Sequence, residues 1–116
     1  MVDEAYVERV LSLVESIPAG RVTTYGILAE AVGRGGPRGV GRVMALYGAP
    51  VPWWRVVRAS GEVPGGLLDE ALARWRTEAT ALVGGALAGR RVDMTRARWD
   101  GQARPVDSDE APTGAR

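Results

Sequence analysis

Thr24-Tyr25-Gly26-Ile27-Leu28-Ala29-Glu30-Ala31-Val32, Gly33-Arg34-Gly35-Gly36 and Pro37-Arg38-Gly39-Val40-Gly41-Arg42-Val43-Met44-Ala45-Leu46-Tyr47 run on without a break. Two apolar periods flank a glycine-rich turn. In the first, Ile27, Leu28, Ala31 and Val32 face inward from a short helix that starts near Thr24. In the second, Val40, Val43, Met44 and Tyr47 fall at i, i+3, i+4 and i+7, the buried stripe of a helix. Pro37 suits its first position, where a backbone N–H is not needed. Two short helices joined by such a turn make a helix-turn-helix candidate. The expected fold is mainly α with a short β element, a winged helix-turn-helix-like DNA-binding domain.

Outward from this pair, Val7, Val10, Leu11, Val14 and Ile17 mark an earlier helix over 3–17. Asp3 suits its N-cap, and Pro18 with Gly20 stops it. Pro50 and Pro52 force extended chain. Trp53 to Val57, aromatic and β-branched, reads as a strand. Ser60-Gly61 is a turn and Pro64-Gly65-Gly66 a loop. A further helix follows from Leu67 to about Leu82, with Leu68, Leu72 and Trp75 on one side. Residues 90–99 read as extended or irregular chain that packs Val92, Met94 and Trp99 back on the domain. One domain over 1–101 is expected, since 116 residues suffice for one core and not two. The polar, Pro-containing segment 102–116 is expected to be disordered.

Composition excludes whole classes of chemistry. The chain has no cysteine and no histidine. It therefore offers no disulfide, no thiolate metal site and no thiol nucleophile, and it lacks the commonest general base near neutral pH. No cofactor and no metal are expected. All 15 basic residues are arginine. Arg21, Arg34, Arg38, Arg42, Arg55 and Arg58 crowd the middle of the chain against Glu30 alone, while the two ends are acidic. A basic middle suggests a face that meets an anion, although a G+C-rich genome also raises arginine everywhere. No apolar run approaches the length that spans a bilayer, and Asp3 and Glu4 stand where a signal peptide would be basic, so a cytoplasmic protein is expected. A monomer is expected as well.

The third helix departs from what stability alone would select. Gly39 and Gly41 inside it cost about 1 kcal/mol each relative to alanine. Arg38 and Arg42, four apart, put like charges side by side. Close backbone approach to a ligand, and a charge pair meeting phosphate, explain both. So do tight helix packing and solvated arginines. In a strand, Trp53 and Trp54 point to opposite faces. Asp69 and Glu70, adjacent on a helix, read as solvated surface, and Ser60 has no evident base.

Three segments together resemble one family. Ile17-Pro18-Ala19-Gly20-Arg21-Val22-Thr23-Thr24-Tyr25-Gly26 is similar to the IPxGxVxTYG opening of the O6-alkylguanine-DNA alkyltransferase DNA-binding domain. Arg38-Gly39-Val40-Gly41-Arg42-Val43-Met44 resembles its R-x-V-G-x-x-M recognition helix. Pro52-Trp53-Trp54-Arg55-Val56-Val57 stands in the place of its P-C-H-R-V active-site motif, with Ser60-Gly61 following at the expected distance. The resemblance runs from about Tyr6 to Glu78. Trp53 takes the place of the acceptor cysteine, as in alkyltransferase-like proteins, which bind the lesion and do not remove the alkyl group. Their motif keeps the histidine, P-W-H-R-V; here Trp54 stands in its place.

The resemblance implies a non-enzymatic sensor that flips O6-alkylguanine out of duplex DNA and flags it for nucleotide excision repair proteins. It gives Tyr25 the role of pushing on the 3′ phosphate of the target nucleotide, and Arg38 that of filling the gap in the duplex. Gly39 and Gly41 let the helix approach the minor groove, and Thr24 and Arg42 meet phosphate or sugar. The lesion pocket would be lined by Tyr25, Trp53, Trp54, Arg55 and Val56 and closed by Ser60. Independently of any relative, dealkylation needs a thiolate and a base to generate it, and the chain has neither residue type. The alternative is a winged helix-turn-helix regulator that reads sequence. Against it, the chain has no asparagine, and its single glutamine, Gln102, lies in the tail, so the usual adenine-reading amides are missing from the helix.

Overall fold

The computed structural model describes residues 3–101; the tail expected from 102 onward lies outside them. Helix α1 spans Glu4–Glu15. The Asp3 carboxylate caps it by accepting from the Ala5 N–H at 2.9 Å. Tyr6, Val10, Val14 and Ile17 line its buried face. Strand β1 is Thr23–Thr24 and helix α2 is Tyr25–Val32. Thr24 ends the strand and caps the helix, its Oγ1 accepting from the Ile27 N–H at 3.1 Å. Gly33 and Gly35, at φ 92° and 85°, turn the chain into α3, Gly36–Tyr47, with Pro37 in its first turn.

Packing revises two inward assignments. In α2, Leu28 and Ala29 are buried while Ala31 is exposed, because α1 and α3 approach α2 from the Ala29 side. In α3, Val40 and Val43 are buried, but Tyr47 is 44% exposed. By the last turn, the stripe has run past the end of the core.

The segment 53–57 is not a continuous strand. Trp53–Arg55 is a 3-10 turn, and only Val56–Val57 is strand β2. Pro50 and Pro52 set up successive tight turns, with the Trp53 N–H donating to the Val51 carbonyl and the Arg55 N–H to that of Pro52. β2 lies parallel to β1, with Thr23 beside Val56 and Thr24 beside Val57. Alternation along β2 then sends neighbouring valines to opposite sides. Val56 joins the core of α1, α2 and α3, and Val57 joins a second core around Leu72 and Trp75.

Helix α4 spans Leu68–Thr77, shorter than its apolar pattern. It ends at Glu78, whose side chain is held by partners, and Ala79 turns left-handed at φ 58°. Trp75, fully buried, donates its indole N–H to the Trp54 carbonyl at 2.8 Å and so fixes the 3-10 turn to α4. Residues 90–99 contain a helical turn, α5, Met94–Ala97, capped by the Asp93 carboxylate. Val92 and Trp99 are buried and Met94 is partly so. Val22 bonds on both sides of this segment, to the Ala97 carbonyl and the Trp99 N–H, and ties it to the start of β1.

Candidate nucleic-acid interface

α3 carries Arg38 and Arg42 on its exposed side. Of the six arginines between 21 and 58, three are engaged internally. Arg21 donates to the Arg96 carbonyl, Arg34 pairs with Asp3 at 2.7 Å and lies over the Tyr6 ring, and Arg55 pairs with Glu78. Arg38, Arg42 and Arg58 make no ion pair or side-chain hydrogen bond among the described residues. Their charges are open to an anion.

The two glycines of α3 serve different ends. A Cβ on Gly39 would collide with the Tyr6 hydroxyl, which is buried without a hydrogen-bond partner. Gly39 is thus the contact by which α3 closes on α1, the packing alternative rather than an opening toward a ligand. Gly41 has nothing within 4 Å of the position a Cβ would take. Open space lies there, and a close approach from outside is possible.

That space continues into a cavity of about 470 Å³, walled by Tyr25, Gly41, Met44, Ala45, Trp53, Val56, Leu67 and Glu70 among its twelve lining residues. It brings together Tyr25 and Gly41 from the expected DNA contacts with Trp53 and Val56 from the expected pocket. The register of β1 on β2, the start of α2 and the second half of α3 produce that meeting. Burial holds the Tyr25 phenol above its ordinary 10.0, against the opposing charge of nearby Arg58, so its hydroxyl stays protonated and able to donate. Neither Arg58 nor Glu70 was expected at this place. The Arg58 position could have been read from the strand register alone; Glu70 depends on how α4 is turned.

Trp54, Arg55 and Ser60 do not line this cavity. The 3-10 turn sets the two indoles edge to face, with planes at 85° and centroids 5.7 Å apart, and they diverge to different surroundings. Trp53 faces the cavity; Trp54 and Arg55 line a separate cleft with Glu15, Pro52 and Arg74. Trp54 donates its indole N–H to Glu78 at 3.0 Å, and Arg74 lies 4.5 Å over its ring. Arg55 donates through Nε to Glu78 at 3.0 Å and through a terminal nitrogen to the Ile17 carbonyl at 2.9 Å. The Gly20 N–H completes the set at 3.1 Å. Burial works to raise the Glu78 pKa, but the hydrogen bonds from Arg55, Gly20 and Trp54 outweigh it and hold the carboxyl below its usual 4.5. Ser60 is exposed and bonds Glu62 across its turn. Thr24, half-buried, spends its hydroxyl oxygen on capping α2.

No group of three or more metal-ligating side chains occurs among the described residues, and no helix there is long and apolar enough to cross a membrane.

A helix pair with a basic outer helix, set on a two-strand sheet beside an aromatic cavity, defines a DNA-binding domain. Residues 5–82 match the family of the 6-O-methylguanine DNA methyltransferase DNA-binding domain, and the chain belongs to it. It is 34% identical to the DNA base-flipping protein of Escherichia coli (strain K12) over 102 residues, covering 84% of this chain and 77% of that protein. Its fold is similar to that of S. pombe Atl1 in complex with damaged DNA containing O6-carboxymethylguanine. The TM-score is 0.70 at 25% identity, over 85% of this chain and 98% of that one. The Mycobacterium tuberculosis O6-methylguanine methyltransferase is also similar, with a TM-score of 0.56 at 31% identity, over 63% of this chain and 47% of that one.

Proposed function

We propose that this protein is a non-enzymatic sensor of O6-alkylated guanine, which binds damaged duplex DNA and holds the flipped nucleotide in the cavity beside α3. The observation that carries the reading is Trp53 as a wall of that cavity, in a chain without any thiol; the motif resemblance gives its position to a repair enzyme's acceptor cysteine. An aromatic wall suits a purine, and each buried methylene of an alkyl group adds about 0.8 kcal/mol. A damaged base pairs poorly and costs less to extrude, which adds to the preference. Arg38 and Arg42 on α3 meet the backbone or the groove, and Tyr25 stands between the groove and the cavity. The relative named for base flipping and the fold shared with Atl1 on damaged DNA support the same reading. The role extends to a monomer that flags the lesion for nucleotide excision repair proteins, a step supported by the family resemblance together with the absence of a thiol to accept the alkyl group.

The test uses a duplex with one O6-[³H]methylguanine. The protein should retain the duplex, take up no label, and release the lesion intact on denaturation. Trp53→Ala should weaken lesion binding and leave binding to undamaged DNA unchanged. Label on the protein, or a Trp53→Ala variant with undiminished lesion affinity, overturns the reading.

A further inference from the structure

Among the described residues, the cavity has one charged lining residue, and it is an acid. Glu70 reaches it from the first turn of α4, beside Leu67; the remaining eleven lining residues are neutral. Its one basic partner, Arg74 on the next turn, is 4.0 Å away with both side chains more than half exposed, a pair worth little. Arg74 is also drawn toward the Trp54 face and lines the opposite cleft. No described lining residue cancels the Glu70 carboxylate; Arg58, whose charge acts on Tyr25, is not among them. A space of about 470 Å³ is roughly 8 Å on a side, so a charge inside it lies within about one Debye length of Glu70 at physiological salt.

Taking the lesion-binding reading as its basis, we infer that Glu70 determines specificity, so that the cavity accepts O6-alkyl groups that are neutral and disfavours those ending in an anion. The carboxylate costs a neutral alkyl chain nothing, and it can accept from the exocyclic amine that O6-alkylation leaves on guanine. An adduct with its own carboxylate meets a like charge in a confined, partly desolvated space. The S. pombe Atl1 complex holds O6-carboxymethylguanine; this protein should rank that adduct below O6-methylguanine. The ordinary role of an acid in a helix's first turn is to favour the helix dipole. Asp69 fills that role in the same turn without lining the cavity, and so serves as the control.

The experiment is competition binding by the full chain, with three duplexes that differ only in one base: guanine, O6-methylguanine or O6-carboxymethylguanine. The parent should prefer methyl over carboxymethyl by about fivefold, the upper end of what two solvent-exposed charges exert on one another. Glu70→Gln should bring that ratio near one, chiefly by tightening the carboxymethyl complex, and Asp69→Asn should leave it unchanged. Taking the ratio cancels any general gain from removing a charge that repels the DNA backbone. A parent that binds both lesions equally well and above guanine overturns the Glu70 inference and leaves the sensor reading standing, as does an unchanged ratio in Glu70→Gln. A parent that prefers neither lesion to guanine overturns both.

Discussion

Glu78 gathers three donors from two parts of the chain: the Gly20 N–H, and the Trp54 indole and Arg55 guanidinium of the 3-10 turn. The indole at 54 spends its N–H donor on structure. Removing the acid would leave Arg55 mostly buried without a counter-charge, so Glu78→Ala should destabilise the fold by about 3 kcal/mol in urea denaturation. The pH dependence follows from the lowered pKa. On acidification the unfolded chain takes up this proton first, so the cluster's stability is present above pH 4.5 and is lost progressively below it. The slope of stability against pH below 4.5 should be shallower in Glu78→Ala than in the parent. A second residue-scale test concerns Gly39. Gly39→Ala should destabilise by about 1–2 kcal/mol, because overpacking against Tyr6 outweighs the gain in helix propensity. Tyr6→Phe, which removes a hydroxyl without a partner, should be tolerated alone and should recover most of the loss in the double variant, as thermal melts of the four proteins would show.

At the scale of elements, α3 combines a packing glycine with an open one, and the second can be separated from stability. Gly41 is helical and has free space at its Cβ position. Gly41→Ala should therefore raise thermal stability by about 1 kcal/mol through helix propensity while weakening DNA binding several-fold. A gain in both, measured by melting and by gel shift, would remove Gly41 from the interface. The sequence carried most of this level. Helix starts at Asp3, Thr24 and Pro37 were legible because caps and proline are local signals. The strand at 53–57 was misread because β-branched and aromatic content does not show the turns that Pro50 and Pro52 impose on the next three residues. α4 ends early because Ala79 turns left-handed and the Thr80 N–H returns to the Trp75 carbonyl, a C-terminal turn that an alanine does not announce in sequence.

For the whole molecule, two cores meet along a parallel strand pair whose members are separated by the entire α2–α3 unit. This pairing sets Tyr25 beside Arg58 and brings Trp53 and Val56 to the flank of α3. The family resemblance puts Tyr25, Trp53, Trp54, Arg55, Val56 and Ser60 in one site. It could not tell which side of the turn each faces. It also could not tell which arginines are spent internally, since Arg34, Arg38 and Arg55 look alike until Asp3 and Glu78 are placed. The central claim is that the cavity and the basic helix act together on a damaged base. The most direct measurement is competition at fixed salt between two duplexes identical except for one O6-methylguanine in place of guanine. Tighter binding to the lesion by tenfold or more, with Tyr25→Ala and Arg38→Ala each reducing the preference, is the predicted result. Equal affinity for both duplexes would contradict it and leave a general DNA-binding module.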